Sequence, residues 1–251
     1  MQIVAINGGP RRGRISKTTM LLEAFLSGCR QGGAEVETIN LREKDIKMCT
    51  GCYSCWIKTP GQCALKDDMK EILLTLDQAD VEVWATPLYF FGPTALFKNF
   101  VDRTIPLAEP YIIEKDGLCT HPLRNKKARE IVFISVAGFC EVEHFQPMSQ
   151  WLRFMEGRGL LKVRAEIYRP SSEFMSAPPL KEKVDEILAA TRQAGRELVQ
   201  TGDISEKTMQ SICRDMLPDK NTYMDLANKY WEREIERSKK RQLARSEGEK
   251  A

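Results

Sequence analysis

The sequence predicts an α/β fold in which a five-stranded parallel sheet is covered by helices on both faces. Two observations lead to this prediction. Apolar runs of strand length alternate along the chain with amphipathic segments of helix length, and glycine or proline residues end several of these segments. Strands that alternate with helices favour a doubly wound sheet, because parallel strands need long crossover connections.

The strands and helices can be assigned in order along the chain. The predicted strands are 2–7, 35–41, 81–85, 130–137 and 161–168, and the predicted helices are 16–32, 66–79, 95–103, 144–157 and 180–200. Ser16 is a suitable N-cap for the first helix, and acidic residues begin the second, where the helix dipole favours them. The strand order expected for five such strands is 2-1-3-4-5, which is the flavodoxin-like order.

Two regions follow from this assignment. Residues 1–202 form the predicted flavodoxin-like domain with a cysteine-rich insertion at 49–63, and residues 203–251 form a helical C-terminal extension. The charged tail from residue 237 onward is expected to be disordered. We expect the long loop 105–127 and the extension to build contacts in a homodimer or homotetramer, with Tyr223, Tyr230 and Trp231 as candidate anchors, although packing within one subunit explains these residues equally well.

Composition narrows the possible functions. The chain has 251 residues, 42% hydrophobic and 29% charged, with a net charge of +3. This charge is small and interspersed, so nucleic-acid binding is not expected. No long apolar run predicts a membrane span or a signal peptide, so a cytoplasmic location is expected. In a reducing compartment, clustered cysteines more often indicate metal or redox chemistry than disulfides.

The loop after the first strand, residues 7–19, has the composition of a phosphate site. It combines glycines for close backbone approach with hydroxyl and basic side chains at a helix N-terminus. Its candidate ligand residues are Gly9, Pro10, Arg11, Ser16, Lys17, Thr18 and Thr19, and Arg14 adds further charge. The glycine spacing fits neither a dinucleotide fingerprint nor a Walker A loop, which leaves a mononucleotide phosphate or an ordinary glycine-rich turn.

The loop after the third strand carries three consecutive aromatic residues. Its candidate site residues are Pro87, Leu88, Tyr89, Phe90 and Gly92, and Phe91 is the third aromatic. Three adjacent rings cannot all point into a core, so some must face a ligand or a partner subunit. Flat apolar surfaces beside a phosphate site suit a flavin ring.

Three blocks of the chain resemble the NAD(P)H-dependent FMN reductases, and within them the iron–sulfur flavoproteins. The blocks are 8–11 (GGPR), 86–90 (TPLYF) with the following 98–103 (KNFVDR), and the cysteine segment 49–68. The resemblance covers about residues 1–200. It implies that the first loop binds the FMN phosphate, that the second lies against the flavin ring, and that a third loop containing Gly138 borders the ring. One departure is Gly9, where the family usually has serine.

The cysteine segment has the spacing C-x2-C-x2-C-x7-C, formed by Cys49, Cys52, Cys55 and Cys63. Three thiols around one tight turn and a fourth returning from a short loop match a [4Fe–4S] cluster better than two zinc knuckles. The iron–sulfur flavoproteins that the chain resembles hold a cluster with such a motif. Free or packing thiols, zinc and disulfides remain alternatives. Cys29 is expected in the core of the first helix.

The functional prediction is an FMN-dependent oxidoreductase that passes electrons from NAD(P)H to an unknown small-molecule or protein acceptor, with or without the cluster. No catalytic side chain is assigned, because the flavin itself performs hydride and electron transfer. A non-enzymatic electron carrier between protein partners and a zinc-bearing interaction module are the alternative functions. A conventional hydrolytic site is not expected, since the chain has only two histidines and no G-x-S-x-G sequence.

Overall fold

The computed structural model describes residues 1–13, 16–125 and 128–248, with side chains described as far as Gln242. The strands are β1 Gln2–Asn7, β2 Glu35–Asn40, β3 Val81–Pro87, β4 Ile113–Lys115, β5 Leu118–Thr120, β6 Arg129–Val136 and β7 Leu161–Arg169. The α-helices are α1 Lys17–Gln31, α2 Ser54–Ile57, α3 Met69–Asp77, α4 Ala95–Asp102, α5 Gln146–Gly157, α6 Lys181–Thr201, α7 Glu206–Cys213 and α8 Lys220–Gly248.

Five of these strands form one parallel sheet in the order β2-β1-β3-β6-β7. Since β4 and β5 lie outside this sheet, the order is the predicted 2-1-3-4-5, and the flavodoxin-like fold class is confirmed. All five carboxyl ends lie at one edge of the sheet, because the strands are parallel. The loops after β1, β3, β6 and β7 therefore meet at that edge.

The sheet has a helical layer on each face, as the strand pattern requires. On one face, α3, α4 and α5 contribute to a buried apolar cluster that includes Val4, Trp84, Phe97, Phe100 and Phe133. Helices α1 and α6 contact each other extensively, and α1 also contacts four of the strands. Successive residues of β1 are buried on opposite faces, which explains why its sequence is apolar throughout and does not alternate with polar residues.

The loop 105–127 contains a small antiparallel hairpin that the sequence analysis did not predict. Strands β4 and β5 pair through three residues each, too short to produce a periodic pattern. The turn between them is Asp116-Gly117, and both residues have positive φ, 49° and 75°. Asp-Gly is a strong signal for a two-residue hairpin turn, so the local sequence contained a usable indication.

The chain divides into two compact units, Met1–Arg214 and Asp215–Ala251. The division thus falls after α7, and the sequence had placed it after Gly202. Helix α7 belongs to the first unit because it contacts α6 and β7. Within the described residues, no helix is long and apolar enough to cross a membrane.

The predicted disorder from residue 237 onward differs from the structure, in which α8 continues to Gly248. High charge alone does not prevent a helix when opposite charges lie one turn apart. Such pairs occur here between Glu234 and Arg237 and between Glu236 and Lys240. Residues 249–251 lie outside the described residues.

Candidate functional site

The phosphate loop is organised around Asn7, the last residue of β1. Its Oδ1 accepts a hydrogen bond from the backbone N–H of Gly9 at 3.0 Å, and its Nδ2 donates to Thr19 and to Asn40. Ser16 caps α1 as predicted, because its hydroxyl accepts from the backbone N–H of Thr19. Asn7 therefore ties the end of β1 to the first turn of α1 and to the end of β2.

A pocket of about 400 Å³ opens at this edge of the sheet and brings together residues from four strand ends. Most of the predicted cofactor-binding residues line it: Gly9, Pro10, Arg11, Ser16, Lys17, Thr18, Pro87, Leu88, Tyr89 and Gly138. Thr19, Phe90 and Gly92 do not line it. Thr19 instead contributes its hydroxyl to the Asn7 and Ser16 network behind the pocket.

The positive charge of the pocket comes from one buried and one exposed side chain. Lys17 is only 5% exposed, and its ammonium group donates to the hydroxyl of Ser176. Burial lowers the pKa of Lys17 below its usual value; the carboxylate of Glu173 opposes this shift and the charge of Arg11 adds to it. Arg11 forms an ion pair with Glu173 at 2.7 Å on the surface.

The gap between the glycine loop and α1 is narrow. A Cβ atom added to Gly9 would lie 3.1 Å from Oδ1 of Asn7 and 3.4 Å from the hydroxyl of Ser16. The backbone N–H groups, hydroxyls and ammonium group gathered here form a donor set that matches a phosphate. The residues present therefore fit the mononucleotide that the sequence predicts.

The aromatic loop forms a tight turn from Tyr89 to Gly92. The N–H and C=O groups of these two residues hydrogen bond to each other at 2.9 and 3.0 Å. Phe90 and Phe91, between them, both have positive φ, 51° and 64°. Bulky residues rarely adopt this conformation, which costs of order 1–3 kcal/mol each and occurs mainly at functional sites. The ring of Phe90 projects from the tip and is 101% exposed, so Tyr89 is the aromatic residue that reaches the pocket.

Three residues of the pocket were missed by the sequence analysis: Val136, Ser172 and Glu173. Ser172 and Glu173 lie in the loop after β7, which is fixed to the loop after β6 by hydrogen bonds from Ser171 to Phe139 and from Ser172 to Ala137. The signal that could have found them is positional. They follow a predicted strand of the same parallel sheet, so they had to emerge at the same edge.

The cysteine segment forms a second pocket of about 370 Å³. Cys49, Cys52, Cys55 and Cys63 all line it, together with Leu65, Arg103 and Ile105. All eight cysteines of the chain are free thiols, so no disulfide forms. Among the described residues, no three His, Cys, Asp or Glu side chains converge closely enough to hold a single metal ion.

The pKa values of Cys55 and Cys52 are shifted in opposite directions. Burial raises the pKa of Cys55, and the neighbouring Cys63, Cys52 and Cys49 raise it further. A hydrogen bond from the Ser54 side chain, with help from its backbone N–H, lowers the pKa of Cys52 to about 7. The thiols are thus near enough to interact, as the ligands of one group must be. A [4Fe–4S] cluster binds each thiolate through a different iron atom, and the four-sulfur donor set of this pocket fits that requirement.

The remaining cysteines play no part in this pocket. Cys29 is fully buried in α1, as predicted, and burial raises its pKa to about 12. Cys119 is exposed on β5.

Asp67 was interpreted from the sequence as helix N-terminal charge, and the structure adds a second role. Its Oδ1 accepts from the backbone N–H of Met69 at the start of α3, in agreement with that interpretation. The same carboxylate also binds the guanidinium of Arg103 through both oxygens, at 2.7 and 2.9 Å. Burial alone would raise the pKa of Asp67, but hydrogen bonds from Arg103, Lys47 and Met69 hold it below its usual value.

Helix α4 connects the two pockets. At its N-terminus, the hydroxyl of Thr94 caps the helix by accepting from Phe97 and donates to the carbonyl of Gly8 in the phosphate loop. At its C-terminal end, Arg103 reaches the cysteine pocket. Asn99, on the same helix, donates to the carbonyl of Ile46 before the first cysteine. One short helix therefore contacts both predicted sites.

Comparison with known proteins places these features in a family. Residues 1–144 match the family described as NADPH-dependent FMN reductase. An iron-sulfur flavoprotein of Archaeoglobus fulgidus is 38% identical over 107 residues, 42% of this chain and 46% of the relative. An iron-sulfur flavoprotein of Methanocaldococcus jannaschii is 36% identical over 107 residues, 43% of this chain and 53% of the relative.

These matches span about half the length of each of these relatives. A likeness in fold extends further along the chain. The structure of an NAD(P)H:quinone oxidoreductase from Methanothermobacter marburgensis superimposes with a TM-score of 0.59 at 20% identity, over 79% of this chain and 96% of the other. Because the family match covers more than half of the sequence, including the phosphate loop, the cysteine segment and the aromatic loop, the chain belongs to the NADPH-dependent FMN reductase family.

Proposed function

We propose that the protein is an FMN-dependent oxidoreductase that takes electrons from NAD(P)H and passes them to a small-molecule or protein acceptor. The observation that carries this proposal is the pocket at the carboxyl edge of the sheet, where the phosphate loop, the segment 87–89 and Gly138 meet. Ligands of open α/β sheets bind at this edge. The family match supports the same assignment.

FMN, when bound, accepts a hydride from the nicotinamide and can release its electrons singly. The chain supplies binding and orientation. The buried ammonium group of Lys17 and the guanidinium of Arg11 would neutralise the phosphate, and the hydroxyls of Ser16 and Thr18 would donate to its oxygens. Leu88, Tyr89 and Gly138 line the same pocket and would border the flavin ring.

In the same proposal, Cys49, Cys52, Cys55 and Cys63 hold a [4Fe–4S] cluster, which would supply one-electron transfer. The support is the shared pocket of the four thiols, the cysteine spacing, and the similarity over part of their length to iron-sulfur flavoproteins. Arg103 at the C-terminal end of α4 lines this pocket, and Thr94 at the N-terminus of the same helix donates to Gly8 of the phosphate loop. Electrons could therefore leave the flavin site through this side of the molecule.

A second candidate is the same reductase without a cluster. It is favoured by the observation that, in the described part of the chain, the thiols do not converge on a single-ion site and Cys49 and Cys52 are exposed. In that case the acceptor would take electrons from the flavin directly. The acceptor itself, a cytoplasmic location and assembly into a homodimer or homotetramer remain predictions from the sequence.

Anaerobic purification followed by counting of FMN, iron and acid-labile sulfide tests these candidates. We expect one FMN per chain and about four iron and four sulfide per chain. A protein that contains FMN but no iron or sulfide, even after reconstitution, would exclude the cluster and support the cluster-free reductase. Zinc in place of iron would indicate an interaction module.

Rapid mixing with NADH or NADPH separates an enzyme from a carrier. We expect the absorbance of the oxidised flavin to bleach within seconds of mixing with at least one of the two nicotinamides. A flavin that stays oxidised for minutes with both would contradict the reductase activity and favour the non-enzymatic electron carrier. A colourless protein that fails to bind added FMN would overturn the whole proposal.

A further inference from the structure

Arg103 carries a buried guanidinium group to which the proposed function gives no role. It follows the last residue of α4 and is 1% exposed, and the side chain of its partner Asp67 is fully buried. A buried ion pair is a weak source of stability, because both charges must be removed from water. The position of this pair therefore raises the question of what the guanidinium does there.

The hydrogen bonds of Arg103 hold its side chain in one orientation. Its Nη1 donates to Oδ2 of Asp67 at 2.7 Å and to the carbonyl of Lys47. Its Nη2 donates to Oδ1 of Asp67 at 2.9 Å and, at 3.4 Å, to the sulfur of Cys63. A bidentate carboxylate thus aims the second nitrogen at a thiol of the cysteine pocket.

A purely structural interpretation is also available. Arg103 and Asp67 join α4 to the segments before and after the cysteines, and this link alone would stabilise the loop. It does not require any contact with sulfur. The hydrogen bond to Cys63 is the observation that goes beyond it.

Hydrogen bonds to ligating sulfurs and nearby charge are among the factors that set the reduction potential of an iron–sulfur cluster. An N–H donor to a thiolate stabilises the more negative, reduced state relative to the oxidised one. Arginine suits this role better than lysine, because it stays protonated and its planar fork can bind a carboxylate and a sulfur at once.

We propose that Arg103 is a positioning residue that fixes the Cys63 sulfur and raises the reduction potential of the cluster. This inference rests on the proposed function, since it requires a cluster on the four cysteines. The couple concerned is a one-electron couple. Dithionite supplies the electron and is itself oxidised to sulfite, and the cluster gains the electron with no change in its bonds to the four cysteines.

The experiment compares wild type with Arg103→Gln and Arg103→Lys after anaerobic reconstitution with iron and sulfide. Midpoint potentials are read from the electron paramagnetic resonance signal of the reduced cluster during titration with dithionite. We expect a more negative potential in Arg103→Gln and an intermediate one in Arg103→Lys, which keeps the charge but loses the fork.

Arg124→Gln is the matched control. Arg124 also contacts the cysteine segment, but it donates to the backbone carbonyls of Pro106 and Cys55 and not to a sulfur. Removing it takes a guanidinium from the same region without removing a donor to a ligand atom. The potential of Arg124→Gln should shift less than that of Arg103→Gln, because the Arg124 guanidinium donates to backbone carbonyls and Arg103 donates to a sulfur.

The outcomes separate this inference from the proposed function. If the wild type takes up no iron and sulfide, the cluster and the role of Arg103 are both overturned. If the wild type holds a cluster and the clusters in Arg103→Gln have the wild-type potential, the role of Arg103 alone is overturned, even where fewer clusters form. If Arg103→Gln fails to fold, the shift in Arg103→Lys decides, and an unchanged potential there overturns the inference.

Discussion

Lys17 is the first residue of α1, and its positively charged side chain is buried. Holding an ammonium group out of water costs free energy, which an anion bound beside it would offset, and the lowered pKa of Lys17 reflects that cost. The sequence indicated a basic residue in a phosphate loop. It could not indicate that Lys17 is buried while Arg11 is half exposed, because this depends on the packing of the loop after β7.

Lys17→Met should weaken FMN binding about 10- to 100-fold, since a charged hydrogen bond contributes about 1.5–3 kcal/mol. The control is Lys98→Met, which removes the same charge from an exposed pair with Asp102 on α4. Fluorescence titration of the apoprotein with FMN measures both. Equal affinities for wild type and Lys17→Met would remove Lys17 from the phosphate site.

The same residue predicts a pH dependence. Lys17 is charged below its lowered pKa and neutral above it, so FMN affinity should be highest below that pKa. It should fall as the pH rises, beginning below the usual lysine value of 10.5. Lys17→Met should lack this component of the fall. An identical alkaline profile in both proteins would contradict the assignment.

The backbone conformation of Phe90 could not be predicted from its residue type. Three adjacent aromatics indicated a functional surface, but the left-handed backbone of Phe90 and Phe91 is decided by the tight turn between Tyr89 and Gly92. Strain that persists in a bulky residue points to a role for the ring. Its position at the tip of the loop places that role outside the pocket.

Phe90→Asn should raise the free energy of unfolding by about 1 kcal/mol, because asparagine tolerates the left-handed region. FMN affinity should stay unchanged, since Phe90 does not line the pocket. Urea unfolding and FMN titration provide the two readouts. A loss of FMN affinity would return Phe90 to the cofactor site that the sequence predicted for it.

At the scale of elements, the long helices and buried strands were predictable because each has a clear period and a terminal signal. Ser16 at the start of α1 is one such case. The elements that were missed are short: α2 and the β4–β5 hairpin. Their sequences carry too few turns or pairs for a period to emerge, and their stability comes from tertiary contacts.

Helices α1 and α6 approach closely at two glycines. A Cβ added to Gly28 would lie 1.8 Å from the carbonyl oxygen of Arg192, and one added to Gly195 would lie 2.1 Å from that of Phe25. Both obstacles are backbone atoms, which cannot rotate away. This helix pair therefore requires glycine at both positions, although glycine in the interior of a helix usually lowers its stability.

Gly28→Ala should lower the free energy of unfolding by about 1–3 kcal/mol or more, because the helices must separate. Gly157→Ala is the matched control. In the described part of the chain, a Cβ added to Gly157 in the last turn of α5 would meet no atom within 4 Å beyond its own helix, so alanine should be neutral or stabilise by up to about 1 kcal/mol. Chemical denaturation of both variants measures the difference, and similar effects at the two positions would contradict the close approach.

For the whole molecule, the alternation of strands and helices was enough to predict a doubly wound parallel sheet and the edge at which the pockets form. The strand order came from the flavodoxin-like arrangement expected for five strands, because alternation alone does not encode the order. The boundary of the first unit was not predictable in this way. It depends on Arg169, whose buried guanidinium donates to the carbonyls of Ile212 and Arg214. A strand residue thereby holds α7 in the first unit, and no periodic pattern encodes that contact.

A chain ending at Arg214 should unfold cooperatively and retain FMN, whereas a chain ending at Gly202 should be destabilised by about 3 kcal/mol or more. The reason is that the shorter chain removes acceptors from a buried charge. Circular dichroism during thermal unfolding and FMN content after gel filtration compare the two. Equal stability of both fragments would favour the boundary that the sequence suggested.

Helix α4 also carries a consequence for how this sequence can vary. Its eight residues span about 12 Å, and each residue turns the helix by about 100°. One inserted or deleted residue would leave Thr94 on the phosphate loop and rotate Arg103 away from Cys63. Alignments of relatives that keep all four cysteines should therefore be free of gaps between these two positions, and gaps there should accompany loss of the cysteines.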